Sequence, residues 1–198
     1  MRHRKALLLV FAAAAACLLL SPAAPARALE IGSTAPDFQL TTLDGKPIAL
    51  ADATRTHKAV AVIFIATKCP YSNAYNTRMK DLAAAYDKQG VLFVGINSNK
   101  SEPEEEARAH AREHGHTFPI AKDPGNKVAD LYDAKRTPEV FLVAPDGKVK
   151  YHGRIDDNSE DASKVTSPDL KDALDALLAG KPIQNAQTKA FGCTIKRV

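Results

Sequence analysis

The sequence predicts an α/β fold in which a mixed β-sheet is flanked by helices and preceded by a β-hairpin. Residues 60–65 and 91–96 are continuous apolar runs of strand length, and each is followed by a segment typical of a helix. Parallel strands that are buried on both faces have such runs and need helical crossovers between them. Residues 139–144 and 149–154 flank the turn dipeptide Asp146-Gly147, which predicts an antiparallel hairpin. The sheet should therefore contain both parallel and antiparallel pairs.

The remaining predicted strands are short. Residues 36–40 and 46–50 flank Asp44-Gly45, a turn sequence that predicts the N-terminal hairpin. Residues 118–121 predict one more short strand after the second helix. The order along the chain is a hairpin, then βαβα, then ββα, which places helices on both faces of the sheet. We expect the last residues, 184–198, to form an irregular tail.

Capping and breaking residues mark the predicted helix boundaries. Pro70 lies where proline favours the first helical turn, so a helix should begin at Cys69 and end near Gly90. Ser101 and Ser167 are predicted N-caps of two later helices. The predicted helices are 69–90, 101–114, 126–132 and 167–178.

The first 28 residues have the features of a signal peptide. A basic segment at residues 2–5 is followed by an apolar run at 6–20, and Ala26-Arg27-Ala28 is an A-x-A cleavage signal. The apolar run is short for a transmembrane helix, which needs about 20 residues. We therefore expect a mature chain that starts at Leu29, is exported to the periplasm or the extracellular space, and does not insert into the membrane.

The predicted domains are the signal peptide at 1–28, one domain at 29–183 and the tail at 184–198. Four of the 27 Lys and Arg residues lie in the signal peptide, which leaves 23 basic residues against 23 acidic ones. A mature chain that is close to neutral argues against nucleic acid as a partner. We expect no cofactor, since the sequence has no glycine-rich phosphate loop.

Histidines and glutamates near the second predicted helix offer a weak metal hypothesis. His110 and His114 are four residues apart, and His116 follows, but the sequence has no H-E-x-x-H motif. A solvated helix face explains the histidines better, so we predict no metal site. We interpret Glu102 and Glu104–Glu106 as an acidic first turn, which the helix dipole favours.

Cys69 is the strongest candidate for a functional residue. It follows a buried strand and the turn 66–68, and Pro70 opens the helix behind it. Unpaired backbone N–H groups at a helix start favour thiolate over thiol, and thiolate is the nucleophile. Lys68 adds a nearby positive charge. The competing interpretation is a small buried hydrophobic residue, which is how most free cysteines behave.

Cys193 is the second cysteine of the predicted mature chain, because Cys17 lies in the signal peptide. It follows Gly192 in the tail, where a flexible segment could carry it to Cys69. We predict it as a candidate resolving thiol. The alternatives are a buried free thiol and a static disulfide that fixes the tail.

Seven short motifs of the mature chain belong to one known pattern. They are residues 32–38 (GSTAPDF), 68–72 (KCPYS), 95–99 (GINSN), 118–123 (FPIAKD), 136–142 (RTPEVFL), 153–157 (GRIDD) and 192–195 (GCTI). As a set they resemble the redoxin (AhpC/TSA, thioredoxin-like) proteins, especially an exported, peroxiredoxin-like bacterial branch. The resemblance implies a thioredoxin-like fold with Cys69 as its redox nucleophile.

The resemblance also assigns roles to residues around Cys69. It implies that the Thr137–Pro138 bond is cis, that Pro138 lies against the thiol, and that Thr137 offers its backbone to an extended substrate. It likewise includes Thr67, Lys68, Pro70 and Ser72 among the residues that shape the site.

The chain departs from two better-known patterns of these proteins. Ser72 stands where thioredoxins have the second cysteine of C-x-x-C. Val62 and Ala66 stand where typical peroxiredoxins have the proline and threonine of P-x-x-x-T-x-x-C. Thr67 lies one position away from that threonine, and no clear counterpart exists for the arginine that such enzymes hold over the thiolate.

Two classes of function remain open from the sequence. The first is a thiol oxidoreductase and antioxidant protein, which either reduces hydroperoxides or exchanges disulfides. Its partners would be a thiol reductant, a thiol- or disulfide-bearing protein, or a hydroperoxide. The alternative is a non-catalytic redoxin-fold module that binds a partner or senses oxidation.

Overall fold

The computed structural model describes residues 29–197, and the predicted signal peptide lies outside this range. Five strands of the described chain form the central sheet, in the order β5-β4-β3-β7-β8. They are β3 (Ala59–Phe64), β4 (Val91–Asn97), β5 (Ile120–Lys122), β7 (Glu139–Val143) and β8 (Val149–Gly153). β3, β4 and β5 pair in parallel, whereas β7 pairs antiparallel with both β3 and β8. The predicted mixed sheet is therefore confirmed.

Helices cover both faces of this sheet. The bounds are Leu50–Thr56 (α1), Pro70–Ala74 (α2), Asn76–Asp87 (α3), Glu104–Glu113 (α4), Lys127–Leu131 (α5) and Asp169–Leu178 (α6). The alternate residues Ala61 and Ile63 of β3 pack in one apolar cluster with α3 and α6. Val62 and Phe64 pack in a second cluster with α1 and α5. Because both faces of β3 are fully buried, its sequence is apolar without alternation.

The N-terminal hairpin is present but shorter than predicted. β1 (Gln39–Thr41) pairs antiparallel with β2 (Pro47–Ala49), and Gly45 in the connecting turn has a φ of 78°. Glycine adopts this left-handed conformation without the penalty that a Cβ atom brings. None of the helices among residues 29–197 has the length and apolarity that crossing a membrane requires.

Three predicted helix boundaries are wrong. The helix after Cys69 breaks at Tyr75, whose N–H bonds to the carbonyl of Ser72 three residues back instead of four. Neither Ser101 nor Ser167 is an N-cap, because the two helices begin later, after Pro103 and Pro168. Glu102 precedes Pro103, and the residue before a proline is disfavoured in helical conformation, so α4 starts beyond it. Pro168 has a ψ of 62°, which is not helical, so α6 begins at Asp169.

The predicted irregular tail is an ordered part of the fold. The backbone of His152 in β8 bonds to Ala186 and Thr188. Farther along, β9 (Cys193–Thr194) pairs antiparallel with β6 (Arg136–Thr137) as a separate two-stranded sheet. The tail thereby crosses the segment that immediately precedes Pro138.

Candidate active site

Cys69 is the N-cap residue of α2 and follows β3 in the sequence after a short turn. Its residue surface is only 2% exposed. The backbone N–H of Ser72 donates to Sγ at 3.4 Å, and the thiol donates to the carbonyl of Thr137 at 3.2 Å. The predicted start of the helix at Cys69–Pro70 is confirmed. Because α2 has only five residues, local hydrogen bonds dominate the environment of the thiol.

The turn before Cys69 is tied to α2 by two side chains. Ser72 accepts a hydrogen bond from the N–H of Ala66 at 3.1 Å, and the Asn73 amide donates to the carbonyl of Thr67 at 2.9 Å. Ser72 thus fixes the turn with its side chain and the thiol with its backbone. Thr67 lies in the turn before Cys69, and Pro70 and Ser72 lie in the first turn of α2 behind it.

A buried carboxylate holds the same turn from the other side. Glu102 is 3% exposed and precedes α4. It accepts the consecutive backbone N–H groups of Thr67 at 2.8 Å and Lys68 at 3.0 Å. The interpretation of Glu102 as part of an acidic helical turn is therefore wrong. Pro103 is the sequence signal that could have excluded it, since the residue before a proline seldom begins a helix.

Amide side chains complete the surroundings of the Glu102 carboxylate. Asn97 donates to it at 2.7 Å and Asn99 at 3.2 Å. Burial would raise the pKa of Glu102, but the hydrogen bonds that the carboxylate accepts outweigh burial and lower its pKa. Lys122 binds the Asn97 side-chain oxygen and the Glu102 backbone carbonyl. The carboxylate is therefore ionised and fully hydrogen-bonded at neutral pH.

Lys68 directs its charge away from the thiol. Its ammonium forms a 2.7 Å ion pair with Glu106 and also donates to the carbonyl of Ser101. Both ion-pair partners are about half exposed, and exposed ion pairs contribute little stability. What Lys68 supplies to the site is its backbone N–H, which Glu102 accepts.

The Thr137–Pro138 peptide bond is cis, as the resemblance implies. A second buried carboxylate, Glu139, holds the segment before this bond by accepting the consecutive N–H groups of Lys135 and Arg136 at 2.7 and 2.8 Å. Its other oxygen lies 2.7 Å from Nε2 of His152.

Cys193 lies beside Cys69, although 124 residues separate the two in the sequence. It is the antiparallel partner of Thr137, whose carbonyl contacts Cys69 Sγ. The Cys193 thiol also hydrogen-bonds to the Cys69 sulfur. Both cysteines are free thiols in the structure. β-sheet pairing between β6 and β9 therefore brings the two predicted thiols together.

The pKa values of the two thiols are shifted in opposite directions. Burial would raise the pKa of Cys69, but hydrogen bonds from the side chains of Cys193 and Thr137 and from the Ser72 N–H lower it overall. Partial burial raises the pKa of Cys193 to about 11. Its hydrogen bond to Cys69 and the repulsion between two negatively charged sulfurs act in the same direction. Cys69 is therefore the more acidic of the two thiols, and Cys193 is the less acidic one.

The three histidines are neighbours in the structure. The rings of His110 and His114 lie 4.3 Å apart, and Nε2 of His110 contacts the Asn73 side-chain oxygen at 2.9 Å. Burial lowers the pKa of His116 to about 4. Among residues 29–197, no group of three or more His, Cys, Asp or Glu residues has a metal-binding arrangement.

The comparison with known proteins agrees with this site. Residues 31–152 match the model of the AhpC/TSA family. The chain belongs to this family. It is 36% identical over 123 residues to thiol-disulfide oxidoreductase ResA from Geobacillus thermodenitrificans, which covers 62% of this chain and 68% of that protein.

Solved structures give the same fold. A hypothetical protein from Sinorhizobium meliloti 1021 superposes with a TM-score of 0.80 at 33% identity, over 87% of this chain and 97% of that chain. The thioredoxin domain of a thiol-disulfide oxidoreductase from Bacteroides vulgatus superposes with a TM-score of 0.54 at 23% identity, over 62% and 86% of the two chains. This AhpC/TSA protein has a thioredoxin-like fold and is a thiol oxidoreductase.

Peptide-resolved alkylation against pH tests the acidity of the two thiols. We expect Cys69 to have a midpoint below the value of about 8.5 for free cysteine, and Cys193 to titrate near 11. Cys193→Ala should raise the Cys69 midpoint because it removes a hydrogen-bond donor, whereas Cys193→Ser should raise it less because a hydroxyl still donates. A Cys69 midpoint at or above that of free cysteine would contradict this assignment.

Glu102→Gln tests the buried carboxylate. A glutamine amide group would face backbone N–H donors, so we expect a loss of about 1–3 kcal/mol of unfolding free energy at pH 7. Since the folded pKa of Glu102 is lowered, its stabilisation is present above the unfolded pKa of about 4.3 and disappears as pH falls through the folded pKa. Urea unfolding should therefore show a smaller difference in acid.

Glu105→Gln is the matched control, because Glu105 is exposed on the first turn of α4. It should leave the unfolding free energy within about 0.5 kcal/mol of wild type. Equal effects of the two substitutions would show that Glu102 does not hold the turn.

Proposed function

We propose that this protein is an exported thiol oxidoreductase that cycles between a Cys69/Cys193 dithiol and an intramolecular disulfide. The observation that carries the proposal is the position of Cys193, paired with Thr137 and hydrogen-bonded to the Cys69 sulfur. Ser72 cannot resolve an oxidised Cys69, and Cys193 is the other thiol of the described chain. The predicted signal peptide supports export.

In the oxidative half-reaction the Cys69 thiolate attacks the oxidant. With a hydroperoxide, the O–O bond breaks, Cys69 becomes a sulfenic acid and an alcohol or water leaves after protonation. With a disulfide, one sulfur bonds to Cys69 and the other leaves as a thiolate. In both cases Cys193 gives up its proton and attacks Cys69 Sγ. The Cys69–Cys193 bond forms, and water or the second thiol leaves.

The reductive half-reaction uses two equivalents of an external thiol. Cys193 is more exposed than Cys69, so the first thiolate attacks Cys193 Sγ. This attack expels Cys69 as a thiolate, which is favoured because a thiol of lower pKa leaves faster. The second external thiolate attacks the first at the mixed disulfide, which returns the protonated Cys193 and releases the oxidised reductant.

Mass spectrometry after one equivalent of hydrogen peroxide tests the redox pair. We expect wild type to lose two hydrogens and to yield a peptide pair linked through Cys69 and Cys193. With a second equivalent of peroxide, Cys193→Ser should proceed to a sulfinic acid on Cys69, because each oxidation step consumes one peroxide. Cys69→Ser should lower thiol-dependent turnover by at least about 10³-fold. A stable sulfenic acid on Cys69 beside a free Cys193 in wild type would reject the pairing.

N-terminal sequencing of the protein recovered from outside the cytoplasm tests export. Cleavage after Ala28 should give a chain that begins at Leu29. Changing Ala26 and Ala28 to arginine should block cleavage and retain the precursor. An intact Met1 on the mature, active protein would overturn the localisation.

A further inference from the structure

We infer that β9 occupies the backbone edge through which an extended protein substrate would reach Cys69, so that the docked tail restricts the thiol to small oxidants. The inference rests on the proposed function only in taking Cys69 as the nucleophile. It adds that the C-terminal strand determines which class of substrate reacts.

The first argument is the lack of open space at the Cys69 sulfur. The backbone of Ser72 and the carbonyl of Thr137 lie on it from two sides. Cys193 lies on it from a third, and the residue is 2% exposed. A thiolate must meet the attacked sulfur of a disulfide directly, so exchange depends on access. A protein disulfide also carries polypeptide on both sides, whereas a hydroperoxide brings two oxygen atoms and one substituent.

The second argument is the occupied backbone edge next to the thiol. Extended peptides bind proteins by adding a strand to an exposed edge. Here the edge formed by Arg136 and Thr137 is already paired in register with Thr194 and Cys193. A protein substrate that used this edge would have to displace β9.

The closeness of the pairing explains the glycine before Cys193. Gly192 has a φ of 142°, and a Cβ atom built on it would lie 2.1 Å from the carbonyl oxygen of Thr137. No larger residue fits there unless the tail moves. Gly180 offers a contrast, because its φ is 66° and nothing lies within 4 Å of an added Cβ.

The third argument is the number of contacts that hold the tail beyond β9. Ile195 is buried in the second apolar cluster, and its N–H bonds to the carbonyl of Lys135. The Lys196 N–H donates to the Asn99 side-chain oxygen, and the Lys196 carbonyl accepts from the Lys100 N–H. Arg197 pairs with Asp130. The tail is therefore a fixed part of the site and not a mobile segment that reaches it only part of the time.

Single-turnover kinetics of Cys69 in the Cys193→Ser background test the inference. Insulin serves as the protein disulfide, with the mixed disulfide read by intact mass, and hydrogen peroxide serves as the small oxidant, with dimedone trapping the sulfenic acid. Gly192→Ala should raise the insulin rate by at least about tenfold, which corresponds to about 1.4 kcal/mol in tail opening. The peroxide rate should not rise, because hydrogen peroxide reaches the thiol without tail opening, and loosening β9 weakens an interaction that lowers the Cys69 pKa.

Gly180→Ala is the matched control, since it also replaces a glycine of positive φ but meets no neighbour. It should change neither rate. Amide hydrogen exchange of residues 193–195 should be faster in Gly192→Ala than in the parent protein. If Gly192→Ala does not fold, Arg136→Ala loosens the same strand from the exposed side, because Arg136 binds the Gly192 carbonyl and the Thr194 hydroxyl.

Two results would overturn the inference. One is a parent protein that reacts with insulin as fast as the loosened variants do. The other is faster amide exchange in β9 without a gain in the insulin rate. Because the Cys193 thiol is absent from this assay, both results are distinct from a failure of the Cys69–Cys193 disulfide to form in wild type, which would reject the proposed redox pair alone.

Discussion

The hydrogen bonds at the Cys69 sulfur are the interaction on which the site depends. Three separate segments supply them: α2 through the Ser72 N–H, β6 through the Thr137 side chain, and β9 through the Cys193 side chain. Burial opposes ionisation of a thiol, so each of these segments must be held in place for the thiolate to form. The surrounding fold can be understood as the means by which the three are held.

Two buried carboxylates perform this task in the same way. Glu102 accepts the consecutive backbone N–H groups of Thr67 and Lys68 in the turn before Cys69. Glu139 accepts those of Lys135 and Arg136 before the cis proline. Burying a carboxylate is costly unless it is hydrogen-bonded, and charge-assisted bonds are about twice as strong as neutral ones. Each carboxylate therefore orders a loop by accepting two consecutive backbone N–H groups.

The sequence predicted the local part of this site and named Cys193 and Thr137–Pro138 as candidates, but it missed the role of Glu102. Continuous apolar residues in β3 followed by Cys69-Pro70 are a local signal, and both the strand and the helix start are confirmed. Glu102 acts on a turn 34 and 35 residues away, and no periodicity or cap rule encodes such a contact. The acidic residues that follow Glu102 fit a helical turn, which hid its different role.

The tail shows the same limit. Its composition lacks helical or strand periodicity over any useful length, so it was predicted to be irregular. Its order comes from pairing with β6 and from burial of Ile195, which are both tertiary contacts. The sequence contains Gly192, but the reason that a glycine is needed there is the nearby carbonyl oxygen of Thr137, which the sequence alone does not reveal.

A buried, more acidic thiol beside a more exposed, less acidic one would give the proposed Cys69–Cys193 disulfide a direction. In that disulfide an incoming thiolate would meet Cys193 before Cys69, because Cys193 is the more exposed of the two. Attack there releases the sulfur that the site is built to hold as a thiolate, since Ser72 and Thr137 remain in place around it. Attack at Cys69 would instead release Cys193, whose high pKa makes it the poorer leaving group. The same hydrogen bonds that activate Cys69 as a nucleophile therefore also select the sulfur at which the disulfide is reduced.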